Sequence, residues 1–117
     1  MKKIIFISTL FFSVVIFAQK SVQAKYPLGA EVFKKELAQA LNVDNIKGTG
    51  KDSCYVVFVV EKDGSLTNIK ALGKNSSFNI EAEKALTRMN SKWTPGSEDN
   101  KLARSRFRVP LYIDFGD

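Results

Sequence analysis

The chain of 117 residues contains no histidine, one cysteine, one tryptophan and three prolines. Without histidine it lacks the commonest general base, proton shuttle and metal ligand. Cys54 has no histidine to pair with as a nucleophile, and no second cysteine with which to close an intramolecular disulfide. A phosphate-binding loop is missing too: Gly48-Thr49-Gly50-Lys51 is too short for a P-loop and does not join a strand to a helix. Asp63 sits in a turn with no second carboxylate beside it in the pattern, and Glu81 and Glu83 read as charges at a helix start. No residue set meets the criteria of a catalytic site, so no enzyme activity, cofactor or metal is expected. The formal charge of +6 is spread along the chain. A nucleic-acid binder would gather that charge into a dense basic cluster, and nucleic acid is not expected as a partner.

The longest apolar run lies at the start. Lys2-Lys3 precede an uncharged stretch from Ile4 to Ala18. That run is shorter than the roughly 20 apolar residues of a membrane span and has the form of a secretory signal peptide. Ala18 ends the run directly and is the expected cleavage point; Val22-Gln23-Ala24 offers a second one, and an uncleaved anchor is the alternative. No cysteine stands nearby to accept a lipid. The expected organisation is a signal over 1–18, a linker over 19–25 and one domain over 26–117, with no membrane span after cleavage. Loss of Lys2 and Lys3 leaves sixteen basic against twelve acidic residues, a charge of +4. A domain of this size is stabilised by core burial alone, since no disulfide helps it. Cys54, at the head of a strand, reads as a small buried hydrophobe, with an intermolecular disulfide as the alternative.

The periodicity then sets out five elements. Pro27 fixes its own φ and keeps Tyr26 extended. Gly29 to Leu41 has Ala30, Phe33, Leu37, Ala40 and Leu41 on one face at helical spacing. Asn42 to Ser53 is a polar loop. Ser53 to Glu61 is a strand apolar on both faces, which calls for a helix against each face or a partner against one. Asp63-Gly64 marks a hairpin turn, and Leu66 to Leu72 returns as a more polar strand. A second helix runs from Asn79, as N-cap, to Met89, with Ala82, Ala85, Leu86 and Met89 as its buried stripe. The closing strand, Arg104 to Phe115, alternates. Ser105, Phe107, Val109, Leu111, Ile113 and Phe115 share one side, and Arg104, Arg106, Arg108, Pro110, Tyr112 and Asp114 the other.

These directions give an α+β fold, α-β-β-α-β, with one three-stranded antiparallel sheet in the order 2-1-3. The doubly apolar first strand is central. The third strand is an edge, which suits Pro110, because proline cannot donate to a ladder.

Tyr26-Pro27, Phe33, Leu37, Val57-Phe58-Val59-Val60, Lys62-Asp63-Gly64-Ser65-Leu66, Asn68-Ile69, Glu83, Ala85, Leu86, Trp93-Thr94-Pro95-Gly96 and Phe107 to Phe115 come in an order and spacing that resembles the C-terminal domain of the TonB family. The resemblance implies a periplasmic protein that binds an extended segment of an outer-membrane receptor by adding it beside the last strand. Carried over, the contacts are Arg104, Arg106, Phe107, Arg108, Val109, Pro110, Leu111 and Tyr112. Gatekeeping against aggregation is an equal reading of the arginine row. The chain departs from a complete TonB in having no proline-rich spacer, and Pro27-Leu28-Gly29 stands where relatives carry Pro-Gly-Gly. It is expected to be a stand-alone binding module and not an energy transducer. Self-association into a homodimer through exposed strand edges is the alternative. N-terminal sequencing of the exported protein tests the first step: a mature chain starting at Gln19 is the expected result.

Overall fold

A computed structural model describes residues 3–7, 11–13 and 21–116. The chain forms β1 (Ile4–Ile7), β2 (Phe11–Ser13), β3 (Ser21–Val22), helix α1 (Ala30–Ala40), a 3-10 turn (Val43–Asn45), β4 (Lys51–Val60), β5 (Leu66–Gly73), helix α2 (Ser76–Met89), β6 (Gly96–Glu98), β7 (Lys101–Ala103) and β8 (Ser105–Asp114). The architecture is α+β with two helices, but the single three-stranded sheet expected from sequence is wrong. Among the described residues there are two sheets. In the larger, the order is β1-β8-β4-β5, with β2 bordering β8 beyond β1; the smaller is β3-β6-β7. The missed strands are two to four residues long, too short to show a period, and β1 lies inside the run that reads as a signal.

β4 is central for the reason its composition gives. Cys54, Val56, Phe58 and Val60 enter one core with Phe107, Val109, Leu111 and Ile113 of β8, Phe33 and Leu37 of α1, and Phe78, Ala82, Ala85 and Leu86 of α2. Both helices therefore lie on the same face. Residues of β5 reach this core through Ala71, and Asn68, at φ 53°, is the extra residue of a bulge where β5 slips against β4. The helices end on polar caps. Asn75, not Asn79, caps α2, its side chain accepting from the Phe78 amide at 3.2 Å, and Asn90 at φ 44° closes it in the left-handed region.

The shifted start of α2 changes the meaning of two carboxylates. Glu81 lies beyond the first turn and is 1% exposed. It accepts from the Asn42 amide at 2.8 Å and the Asn45 side chain at 3.1 Å, and pairs with Arg88 at 2.8 Å. Burial alone would raise its pKa, but these three partners outweigh burial and hold the carboxyl below the usual range. Glu81 thus ties α2 to the turn after α1.

Trp93 joins the halves of the domain. Its ring meets Tyr26, Phe33, Phe58 and Phe107 at centroid distances of 5.2, 5.1, 5.5 and 5.1 Å. Its amide donates to the Gly64 carbonyl at 2.9 Å. Gly64 has φ 85°, and a Cβ there would collide with the Trp93 carbonyl oxygen. Residues 21–25, expected in the linker, belong to this assembly: Ser21 and Val22 pair with β6, Ala24 is buried, and Lys25 and Thr94 exchange hydrogen bonds at 2.9 and 2.8 Å. Cleavage after Ala24 would remove the Ser21 and Val22 pairing and the buried Ala24; the position after Ala18 lies outside the described residues. No helix of the described residues is long and apolar enough to cross a membrane. Gly64→Ala should destabilise the domain by about 2–4 kcal/mol in urea unfolding, from positive φ and the clash together.

Candidate binding edge and outer face

The closing strand does alternate in space. Ser105, Phe107, Val109, Leu111 and Ile113 are buried, while Arg104, Arg106, Arg108 and Tyr112 are exposed and Pro110 half-exposed. The eight candidate contacts therefore divide. Phe107, Val109 and Leu111 are core side chains and could reach a partner only through their backbone. Arg106, Arg108, Pro110 and Tyr112 look out from the other face of the sheet.

Among the described residues, no helix packs against that outer face. β4 contributes Tyr55 and Val57, half-buried, in register with Pro110 and Arg108. Leu72 and Lys70 of β5 stand opposite them on the other side. The Arg108 guanidinium lies 3.7 Å over the Tyr55 ring, a cation–π contact that also covers apolar surface. Arg104 is committed elsewhere. It grips Glu61 through two hydrogen bonds of 2.7 and 3.1 Å, and Thr67 donates to the same carboxylate. Arg104 foremost, then Thr67, holds the Glu61 pKa below its ordinary value. Arg106 makes no ion pair with a described residue.

The edge itself differs from expectation. β8 is not at the border of the sheet, because residues of the N-terminal run lie along it antiparallel. Ile4 to Ile7 pair with Asp114 to Leu111, and Phe11 to Ser13 with Arg108 to Arg106. Sequence reasoning could not see this, since it assigned that run to a removable signal. Ile5, in register with Ile113, packs against the core, whereas Ile4 and Phe6 are about half exposed on the outer face at 46% and 51%. Lys3 reaches across to the 3-10 turn. Its ammonium donates to the carbonyls of Val43 at 3.1 Å and Ile46 at 3.2 Å, and lies 5.8 Å from the Phe115 ring centre.

The opposite border is protected differently. The Ala71 amide donates to Glu83 at 3.0 Å, and the Asn79 side chain donates to the Gly73 carbonyl at 2.9 Å. Side chains of α2 thereby occupy outward-facing backbone groups of β5, where a foreign strand would otherwise pair. Glu83 and Asn79 were read from sequence as helix-start residues. Only the placement of α2 beside β5 reveals this use.

Among the described residues no group of three or more His, Cys, Asp or Glu could hold a metal. A small groove of about 150 Å³, lined by Leu66, Ile69, Leu86 and Lys92 among others, is well below the size of an ordinary small-molecule site. Burial, and then the Asp52 carboxylate, push the Cys54 thiol up to about 12. Comparison with family models, with curated proteins and with solved structures finds no match. Native protein at pH 8 should resist alkylation at Cys54, and urea should restore full labelling; fast labelling of folded protein would contradict the buried placement.

Proposed function

We propose that the domain is a periplasmic protein-binding module that takes up an extended peptide, or the sheet edge of another envelope protein, by strand addition along β8. The observation that carries this reading is the asymmetry of the two sheet borders. The β5 border is closed by Glu83 and Asn79. Among the described residues, the β8 border is occupied by short segments of the N-terminal run, and every described side chain of the buried core lies between Ala24 and Phe115. Release of the run would leave the core intact and the outer amides and carbonyls of β8 without partners. Such a row accepts a strand, with backbone hydrogen bonds supplying affinity and alternate side chains supplying register.

On this reading the partner is a segment of an outer-membrane transporter, in keeping with the likeness to TonB C-terminal domains, and Arg106 and Arg108 meet acidic groups flanking it. The module transmits no force by itself. A second reading, self-association, draws on the same border and on the uncovered outer face with Leu72 and Tyr112 at 36% and 42% exposure. It predicts a mass that rises with concentration. The first reading predicts that a chain starting at Gln19 binds receptor segments in a pull-down at least about tenfold more tightly than the intact chain, because an occupied edge lowers apparent affinity by its unoccupied fraction. Equal binding by the two chains would remove β8 as the site.

A further inference from the structure

The N-terminal strand does more than fill a border; it carries a side chain into the domain beyond the sheet. Lys3 and Ile5, two residues apart, share the core-facing side of the added strand, by the register of Ile5 with β8. Ile5 meets the core beside Ile113. Two residues earlier, the Lys3 side chain enters a cradle built by three groups from two parts of the domain. The carbonyls of Val43 and Ile46 come from the first residue and the C-cap of the 3-10 turn, and the Phe115 ring comes from the residue after β8. Ile46 is fully buried and Phe115 is 5% exposed, so the cradle's walls are fixed by the core. Phe115 is held further by its amide, which donates to the Gly50 carbonyl at 2.7 Å. A Cβ on Gly48 would lie 2.7 Å from the Phe115 ring, so a residue without a side chain is needed for the ring to rest there.

Two carbonyl oxygens and an aromatic face are all electron-rich, and none can donate a hydrogen bond. They suit an ammonium or guanidinium and repel a carboxylate. We propose that the β8 border, with this cradle at its end, is a recognition site for an antiparallel strand carrying a lysine or arginine followed two residues later by a branched apolar side chain. Residues 3–7 are the site's occupant in cis. The proposal rests on strand addition at β8 as the function, and adds to it the chemical class of the partner: basic at one position and apolar at alternate ones. While the N-terminal run stays attached, the module is self-blocked; its removal exposes border and cradle together.

The test uses the full chain and a labelled peptide, Lys-Ile-Ile-Phe-Ile on a soluble Gly-Ser tail. Ile5→Asp sets a charge against the core and should release the segment, with circular dichroism confirming that the domain stays folded. Lys3→Glu is the second opened form, since its carboxylate faces the two carbonyls without entering the core. Anisotropy titrations should find the peptide bound at least about tenfold more tightly by the opened chains than by the intact one. Replacing the peptide's lysine by norleucine or glutamate should weaken binding by about tenfold or more. Equal affinities for the lysine and glutamate peptides would overturn the cradle while leaving strand addition standing. A folded, opened chain that binds none of the peptides would overturn both.

Discussion

A ten-residue strand carries two rows of backbone donors and acceptors, and each row needs partners. In β8 the inner row is satisfied by β4 along its whole length, from Ser105 opposite Val60 to Asp114 opposite Lys51. The outer row is what the rest of the molecule arranges itself around. Unpaired groups there would invite any strand of suitable shape. The chain meets this need with its own N-terminal residues, and meets the same need at β5 with two side chains from α2. The two solutions differ in permanence. Glu83 and Asn79 are anchored in a helix packed on the core, whereas β1 and β2 precede the domain and bring it only one core-packed side chain, Ile5, among those described.

Holding β8 in place is the task of the aromatic cluster. Phe107 stacks on Phe58 at 5.6 Å, and both touch Trp93. Trp93 is in turn clamped by the Gly64 turn below and by Tyr26 and Phe33 above. The Tyr26 hydroxyl donates to Glu36 at 2.6 Å, tying the entry of the domain to α1. Hence the segment before α1, the hairpin turn, the stretch after α2 and the closing strand meet at one ring. A large ring with four aromatic neighbours also sets orientation, because such pairs favour tilted and edge-on packing over loose contact. These ring contacts fix the Phe107 end of β8 against the core.

Much of the fold could be read from residue pattern. The doubly apolar β4 and the alternation of β8 are strong period-two signals over many residues, and both strands form where the pattern puts them. Asp63-Gly64 works because a positive φ there needs glycine, and Asp63 adds its own bonds to the Ser65 amide at 2.9 Å and hydroxyl at 2.6 Å. What was illegible shares one cause. β3 is held by pairing with β6 far along the chain, β6 and β7 form a hairpin across Asp99-Asn100, and strands of two or three residues carry no periodic signal. Asn75 against Asn79 as the cap of α2 is a choice between two capable residues four apart. It is decided by Lys47, whose carbonyl accepts from the Asn75 side chain at 2.7 Å.

The sequence by itself determined the helices, the long strands, the turn between β4 and β5, and the absence of a histidine-based site, since each depends on residue type and local spacing alone. Only the tertiary structure decided which face the helices cover, that Glu81 is a buried tie, and that the first residues lie along the last strand. It also assembled the carbonyl cradle for Lys3. These outcomes depend on backbone groups and on contacts between residues from 36 to 112 positions apart, and backbone amides and carbonyls are the same in every sequence.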